Sequence, residues 1–106
     1  MLSSIIGSEN SEYVLVFILK RDAGYAREIA RFFDATLSAI QRQLDKLEAG
    51  GVLVSKKVGR TRVYEYNPRY PFLTELQALL EKAYSFYPED VRENLEMNRR
   101  RPRRKD

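Results

Sequence analysis

The chain has 106 residues, a formal net charge of +4 and a hydrophobic content of 43%, which fits one globular domain with a modest core. It contains no cysteine and no histidine, which excludes disulfides, thiolate metal sites and the commonest catalytic base. The longest apolar run, Tyr13–Leu19, is far shorter than the roughly 20 residues of a membrane span, and no signal-peptide pattern is found. We therefore expect a cytoplasmic protein that contains no metal and no cofactor.

The charges are unevenly distributed along the chain. Residues 20–69 carry a net charge of +5, residues 70–98 carry −4, and residues 99–106 carry +5. A basic middle and a basic tail around an acidic segment indicate a polyanionic partner for particular regions.

A first helix, capped by Ser8 or Asn10, is predicted to reach about Lys20. Its stretch 13–19 is apolar almost all round, which indicates that a second face of this helix is buried. The sequence "DAG" at 22–24 then breaks the helix.

Two helices separated by a tight turn are predicted next. The first covers about residues 25–33 and the second about 36–49, with Asp34 tolerating unusual dihedral angles in the turn and Thr36 serving as an N-cap. Apolar residues recur in the second helix at spacings of three, four and three, which predicts a buried stripe. The stripe consists of Leu37, Ile40, Leu44 and Leu47.

A hairpin and further helices complete the predicted elements. Gly50 is expected to end the second helix in a left-handed conformation. The segments "VLVSKKV" (52–58) and "RVYEY" (62–66) are typical of strands, joined by a tip at residues 59–61. A helix over about 70–87 and a last short helix follow.

This order of elements is that of a winged helix-turn-helix. The predicted fold class is mainly α, of the α+β winged-helix type: a three-helix helix-turn-helix core, a two-stranded β-hairpin wing and a C-terminal helix. The predicted organisation is an N-terminal segment (1–8), a winged helix-turn-helix DNA-binding domain (9–68), a C-terminal helical dimerisation segment (69–98) and a basic tail (99–106).

The segment "YAREIARFFDATLSAIQRQLDKLEAGGVLVSKKVGRTRVYEYNP" resembles the winged-helix core of ArsR-like prokaryotic transcriptional regulators, over about residues 23–68. The shared pattern is a helix ending in two apolar residues, a polar cap, a recognition helix, glycine, a strand, Gly-Arg and a tyrosine-rich strand. The resemblance implies that the flanking helices form a dimer surface. Metal-sensing members use cysteine and histidine, so their absence implies that this chain is not a thiolate metal sensor.

In the winged-helix geometry the helix at about 36–49 enters the major groove. Gln41 and Arg42 are then expected to contact adenine and guanine edges, while Thr36 and Ser38 contact phosphate or bases near the helix N-terminus. Asp45 is an acid on this face. It is expected to pair with Arg42 or Gln41 or to accept from a cytosine amino group; alternatively, it indicates that the face does not read DNA.

The wing and the first helix of the motif supply further cations. Those around the hairpin tip are expected to contact phosphates or the minor groove, although charged edge strands also serve only to prevent aggregation. The predicted wing contacts, within residues 56–62, are Lys56, Lys57, Arg60, Thr61 and Arg62, and the predicted backbone contacts are Arg27 and Arg31.

A homodimer is predicted because the apolar surface of the first helix and of the leucine-rich helix exceeds what one small core can bury. The predicted interface comprises Val14, Phe17, Ile18, Leu73, Leu76, Leu80 and Tyr84. Two-fold symmetry would place two recognition helices about 34 Å apart and implies an inverted-repeat site.

The leading hypothesis is sequence-specific binding of double-stranded DNA by a prokaryotic-type transcriptional regulator without enzymatic activity. Two alternatives stay open: a winged-helix protein-interaction module, and a non-specific DNA or RNA binder driven by the basic tail. The tail is expected to add sequence-independent phosphate contacts. Any small-molecule effector, the operator sequence and the sign of regulation are not encoded in recognisable motifs.

Overall fold

The computed structural model of the chain describes residues 1–97, which form six helices and one two-stranded sheet. In chain order these are α1 (Ser3–Ile6), α2 (Glu9–Arg21), α3 (Ala26–Phe33), α4 (Leu37–Ala49), β1 (Leu53–Val58), β2 (Thr61–Tyr66), α5 (Leu73–Tyr84) and α6 (Glu89–Met97). The predicted winged-helix order and fold class are confirmed. The sequence did not predict α1, and the basic tail lies outside the described residues.

Helix α2 runs through the centre of the core. Its five consecutive residues from Val14 to Ile18 are at most 2% exposed. Because one helical turn takes about 3.6 residues, a run of this length means that α2 is covered on all sides. The cover comes from α4, α5 and α6, whose Leu44, Leu80 and Leu95 are fully buried in the same cluster. The all-round apolar character of α2 is therefore explained within one chain.

This burial corrects the predicted dimer interface. The prediction assumed that a single core could not cover both apolar helices, yet five of the seven assigned side chains are buried in one chain. These are Val14, Phe17, Ile18, Leu80 and Tyr84. The remaining two, Leu73 and Leu76, are half-buried on α5. The five buried residues thus belong to the core and provide no exposed surface for a partner.

The turn between α3 and α4 has the predicted conformation. Asp34 adopts left-handed dihedral angles, with φ 55° and ψ 43°. The N–H group of Ala35 then donates a 2.9 Å hydrogen bond to the carbonyl oxygen of Ala30, which closes the end of α3. An aspartate tolerates this conformation because its short polar side chain adds little steric strain. The turn therefore fixes the direction in which α4 leaves α3.

The end of α4 differs from the prediction by one residue. Gly51, with φ 80°, adopts the left-handed conformation, while Gly50 has φ −83°. The N–H group of Val52 donates to the carbonyl oxygen of Leu47 at 2.9 Å, and that of Gly51 donates to Glu48 at 3.0 Å. This pair of hydrogen bonds forms a Schellman motif, so the double glycine supplies both the cap and the left-handed residue after it.

The wing is an antiparallel hairpin whose turn consists of Gly59 and Arg60. Gly59 has φ 66°, whereas Thr61, predicted at the tip, is already paired in β2. A third segment is added to the sheet by Gly24, which exchanges backbone hydrogen bonds of 3.0 and 2.8 Å with Tyr64. This bridge attaches the wing to the break between α2 and α3. No helix within residues 1–97 has the length and apolar character needed to cross a membrane.

Candidate nucleic-acid interface

Helix α4 is fixed to the core by one face and exposes the other. Ile40 and Leu44 are fully buried, and the hydroxyl of Ser11 on α2 donates a 2.6 Å hydrogen bond to Oε1 of Gln43. The opposite face exposes three of the side chains that the sequence assigned to DNA contacts. These are Thr36, Ser38 and Arg42. The helix is thus anchored from beneath, and its polar face is open to a ligand.

The first turn of α4 combines a capping residue with an exposed apolar side chain. The hydroxyl of Thr36 accepts a 3.3 Å hydrogen bond from the N–H group of Ala39, which confirms the predicted cap. Leu37, predicted in the buried stripe, is 44% exposed, because the stripe begins one turn later at Ile40. Since thymine presents a methyl group in the major groove, an apolar residue at this position can contribute to a base contact.

Gln41 is not a free side chain. Its Nε2 donates to Oδ1 of Asp45 at 2.9 Å and to the phenolic oxygen of Tyr64 at 3.1 Å. Both amide protons are therefore engaged within the protein, and one of the two partners predicted for Asp45 is confirmed. Burial raises the pKa of Tyr64, although the hydrogen bond from Gln41 opposes the shift, so its hydroxyl stays protonated at neutral pH.

The register of the hairpin divides the wing cations between two faces. Lys57 and Arg62 are cross-strand partners and lie on the same face as Tyr64, whose side chain packs into the core. Lys56 lies on the opposite face, because successive residues of a strand alternate. Arg60 is exposed in the turn between the strands. The four cations therefore surround the wing and do not form one patch.

Arg62 links the wing to the end of α4. Its Nη1 donates a 3.1 Å hydrogen bond to the hydroxyl of Ser55, which in turn donates at 2.6 Å to Oε2 of Glu48. Thr61, also predicted to contact DNA, is half-buried on the opposite face of the hairpin. Together with the contact between Gln41 and Tyr64, this chain of hydrogen bonds joins the wing to α4.

Six exposed cations of α3, α4 and the wing have no counter-ion among residues 1–97. None of their side-chain nitrogens forms an ion pair or hydrogen bond with another residue in the range 1–97. This set consists of Arg27 and Arg31 on α3, Arg42 on α4, and Lys56, Lys57 and Arg60 on the wing. Arg21 is different: it is buried, and its Nε donates to the carbonyl oxygen of Leu95 at 3.1 Å. The structure thus separates one structural arginine from cations that are available to a polyanion.

No cluster of three or more acidic side chains with the spacing of a metal site is found in residues 1–97. The exposed surface of α3, α4 and the wing offers hydroxyl groups, guanidinium groups and ammonium groups, which bind phosphates and base edges. The pairing of Gln41 with Asp45 follows from helical spacing, but the sequence could not have revealed the contact of Gln41 with Tyr64, which lies 23 positions away on another element.

The fold resembles that of three solved structures. BldR from Sulfolobus solfataricus, a transcriptional regulator, superposes with a TM-score of 0.59 at 15% identity over 93% of this chain and 68% of its own. The C30AH42A mutant of Lactococcus lactis ZitR in its apo form gives 0.56 at 15% identity over 84% and 76%. The adhesin competence repressor AdcR from Streptococcus pyogenes gives 0.53 at 11% identity over 91% and 80%.

The other two comparisons found no relatives. No protein-family model matches the chain, and no curated protein matches it in sequence. At identities of 11–15% the structural similarity concerns the arrangement of the elements alone. The chain therefore shares the winged-helix fold of these three proteins.

Proposed function

We propose that this chain is a transcriptional regulator that binds double-stranded DNA in a sequence-specific manner. Helix α4 enters the major groove, and the wing lies on the backbone or in the minor groove. Within this proposal the protein has no catalytic role and acts in the cytoplasm, and it belongs to the ArsR-like group that its sequence pattern resembles.

The observation that carries the proposal is the connection of the wing to α4. Gln41 donates to Tyr64 of β2, and Glu48 is joined through Ser55 to Arg62. These hydrogen bonds fix the position of the wing, with its unpaired cations, relative to the exposed face of α4. A duplex can engage them together without paying a large ordering entropy, which favours specific recognition.

The proposed DNA contacts fall into two classes, contacts with base edges and contacts with phosphates. Arg42 can donate two hydrogen bonds to a guanine edge, and the exposed first turn with Thr36, Leu37 and Ser38 can approach neighbouring bases and phosphates. The cations of the wing and of α3 neutralise phosphates and position the protein without reading the sequence. A basic surface of this kind makes the affinity depend on salt concentration.

The protein is proposed to bind DNA as a homodimer through α5. Leu79 lies on α5, and Phe72 and Phe86 flank the two ends of the helix; the three are spaced by seven residues and are 37%, 63% and 63% exposed. With the half-buried Leu76 they form an apolar stripe beside the face that packs on α2.

The charges beside the stripe fit a two-fold arrangement of antiparallel α5 helices. A two-fold axis near Leu79 would bring Phe72 of one copy opposite Phe86 of the second. Glu75 and Lys82 lie on one flank of the stripe, so each would approach the opposite charge across the axis. The proposed interface therefore uses this exposed surface of α5 and not the buried residues predicted from the sequence. A symmetric dimer would bind a DNA site that contains an inverted repeat.

The experiment that tests the function is a selection of binding sites from random duplex DNA. The selected duplex is then compared with a scrambled duplex of the same composition at the same salt concentration, by fluorescence anisotropy. We expect the selected duplex to bind about a thousandfold or more tightly. Equal affinity for both duplexes would contradict sequence-specific recognition and favour a non-specific binder. Absence of duplex binding would favour a protein-interaction module.

A further inference from the structure

A cleft on the side of the molecule formed by α2, α3 and the connection between α5 and α6 has features of a small-molecule site. Its volume is about 300 Å³, at the lower end of the range for ligand pockets. Its walls include the aromatic residues Tyr13, Phe33, Phe86 and Tyr87 and the acidic residues Glu9 and Glu12. The combination of aromatic rings and carboxylates restricts the class of ligand that can bind.

Two of the aromatic rings that line the cleft stack on each other. Tyr13 and Phe33 are stacked, with their ring centroids 4.3 Å apart and their planes within 6°. Phe86 is 63% exposed at the rim, and Tyr87 is half-buried. Aromatic faces carry negative electrostatic potential, so several rings around one space attract a cation.

Two carboxylates add negative charge to the same cleft. Glu12 is 2% exposed, and its side chain accepts hydrogen bonds from the N–H group of Leu2 and the hydroxyl of Tyr87. Burial alone would raise the pKa of Glu12, but the hydrogen bonds from Tyr87 and Leu2 outweigh it and hold the pKa below its usual value. Glu12 is therefore ionised at neutral pH.

Of the two carboxylates, Glu9 is the one that can interact with a ligand. The amino group of Met1 lies 3.0 Å from Oε1 of Glu12 and offsets the charge of that residue. Glu9 is exposed, and its side chain forms no ion pair with any residue between 1 and 97. None of the side chains that line the cleft belongs to a lysine or arginine. An anionic ligand would be repelled here, whereas a cation gains from the rings and from Glu9.

We propose that this cleft binds an organic cation with an apolar or aromatic body, of the quaternary ammonium class. The rings of Tyr13, Phe33 and Tyr87 contact the body and the methyl groups of the ligand, and Glu9 faces its charge. Phe86 belongs both to this rim and to the exposed stripe of α5, so it is left unchanged in the test. The proposed site does not depend on DNA binding.

Isothermal titration calorimetry of the full chain with benzyltrimethylammonium tests the proposal. Dimethyl benzyl carbinol is the uncharged ligand of nearly the same shape, and hydrocinnamate is an anionic aromatic ligand. We expect the cation to bind about tenfold or more tightly than the carbinol, as cation–π and charge interactions of desolvated groups predict, and we expect no binding of hydrocinnamate. Glu9→Gln should lower the affinity for the cation about threefold to tenfold and leave the affinity for the carbinol unchanged.

Glu93→Gln is the matched control, because Glu93 is an exposed acid on α6 that does not line this cleft. A second variant, Tyr13→Leu, keeps apolar volume but removes one aromatic ring. It should lower the affinity for the cation more than the affinity for the carbinol. Equal affinity of cation and carbinol, or equal effects of Glu9→Gln and Glu93→Gln, would overturn the proposal. Because no DNA is present, these outcomes are independent of the proposed regulator function.

Discussion

The side-chain amide of Gln41 donates a hydrogen bond to the phenolic oxygen of Tyr64, 3.1 Å away, and so ties α4 to the wing. Its second amide proton goes to Asp45, at 2.9 Å. A bidentate contact with adenine needs a free donor and a free acceptor on the same amide. In this arrangement only the acceptor of Gln41 is free, so the proposed function assigns the base contact to the exposed side chain of Arg42.

We therefore predict different effects for two neighbouring substitutions. Arg42→Ala should cost about 1–3 kcal/mol on the selected duplex and relax the preference at one base pair. Gln41→Ala should change base preference less, because it mainly removes the link to Tyr64. Affinities for a panel of single-base variants of the selected duplex distinguish the two. An unchanged preference in Arg42→Ala would show that α4 is not the recognition helix.

The wing should contribute affinity without specificity. Arg60 is exposed in the turn and has no partner in the described part of the chain. Arg60→Ala should lower the affinity for the selected and the scrambled duplex by similar factors. It should also reduce the slope of the logarithm of the binding constant against the logarithm of the salt concentration by about 0.9, the effect of one lost phosphate contact. Arg60→Lys keeps the charge and should keep the slope. A loss confined to the selected duplex would instead assign base reading to the wing.

The order of the elements was predictable because its signals are local. Thr36 as a cap, Asp34 in the turn and the double glycine after α4 each depend on a few neighbouring residues, and the structure confirms them to within one position. The burial of Ile40 and Leu44 follows from helical spacing in the same way.

The engagement of side chains and the cover of α2 were not predictable, because both depend on contacts between distant segments. Besides the predicted contact with Asp45, Gln41 has a partner on β2, and Arg21 is bonded to a carbonyl group of α6 that lies 74 positions away. Leu2, just before the unpredicted helix α1, and Leu95 of α6 belong to the same buried cluster as the residues of α2 that were assigned to a dimer. A pattern in one helix shows that a face is apolar but does not show which segment covers it.

Gly24 should be required for packing. A Cβ atom at this position would lie 2.9 Å from Cδ1 of Phe17 and 3.2 Å from Cδ1 of Ile29, both in the buried core. We expect Gly24→Ala to lower the free energy of unfolding by about 1–3 kcal/mol through overpacking, measured by urea denaturation. The control is Gly50→Ala, where φ is −83° and an added Cβ atom would lie 3.5 Å from the carbonyl oxygen of Lys46. Equal stability of both variants would contradict the close approach.

The exposed stripe of α5 should control the oligomeric state. Leu79→Glu places a charge at the centre of the proposed interface, so the dimer should dissociate at concentrations at which the unchanged chain is dimeric, as measured by sedimentation velocity. Thr74→Glu is the matched control, since it adds the same charge to an exposed position of α5 outside the stripe. Affinity for an inverted-repeat duplex should fall in Leu79→Glu alone. A monomeric unchanged chain at tens of micromolar would rule out the dimer.

The last prediction concerns the basic tail, residues 99–106, which lies outside the described residues and carries six basic groups and one acid. If the tail contacts phosphates, truncation after Asn98 should lower the affinity for selected and scrambled duplexes by similar factors. Each lost contact should flatten the log–log salt slope by about 0.9. The rival interpretation pairs the tail with the acidic segment, where Glu89, Asp90 and Glu93 are exposed.

The rival interpretation predicts a lower melting temperature or a weaker dimer after truncation, with the salt slope unchanged. A chain of full length whose six basic tail residues are replaced by serine separates loss of charge from loss of length. Affinity at several salt concentrations, measured beside the melting temperature, therefore decides between the two. We expect the phosphate contacts, because the rest of the chain, residues 1–98, carries a net charge of only −1 and offers little overall attraction to a tail of +5.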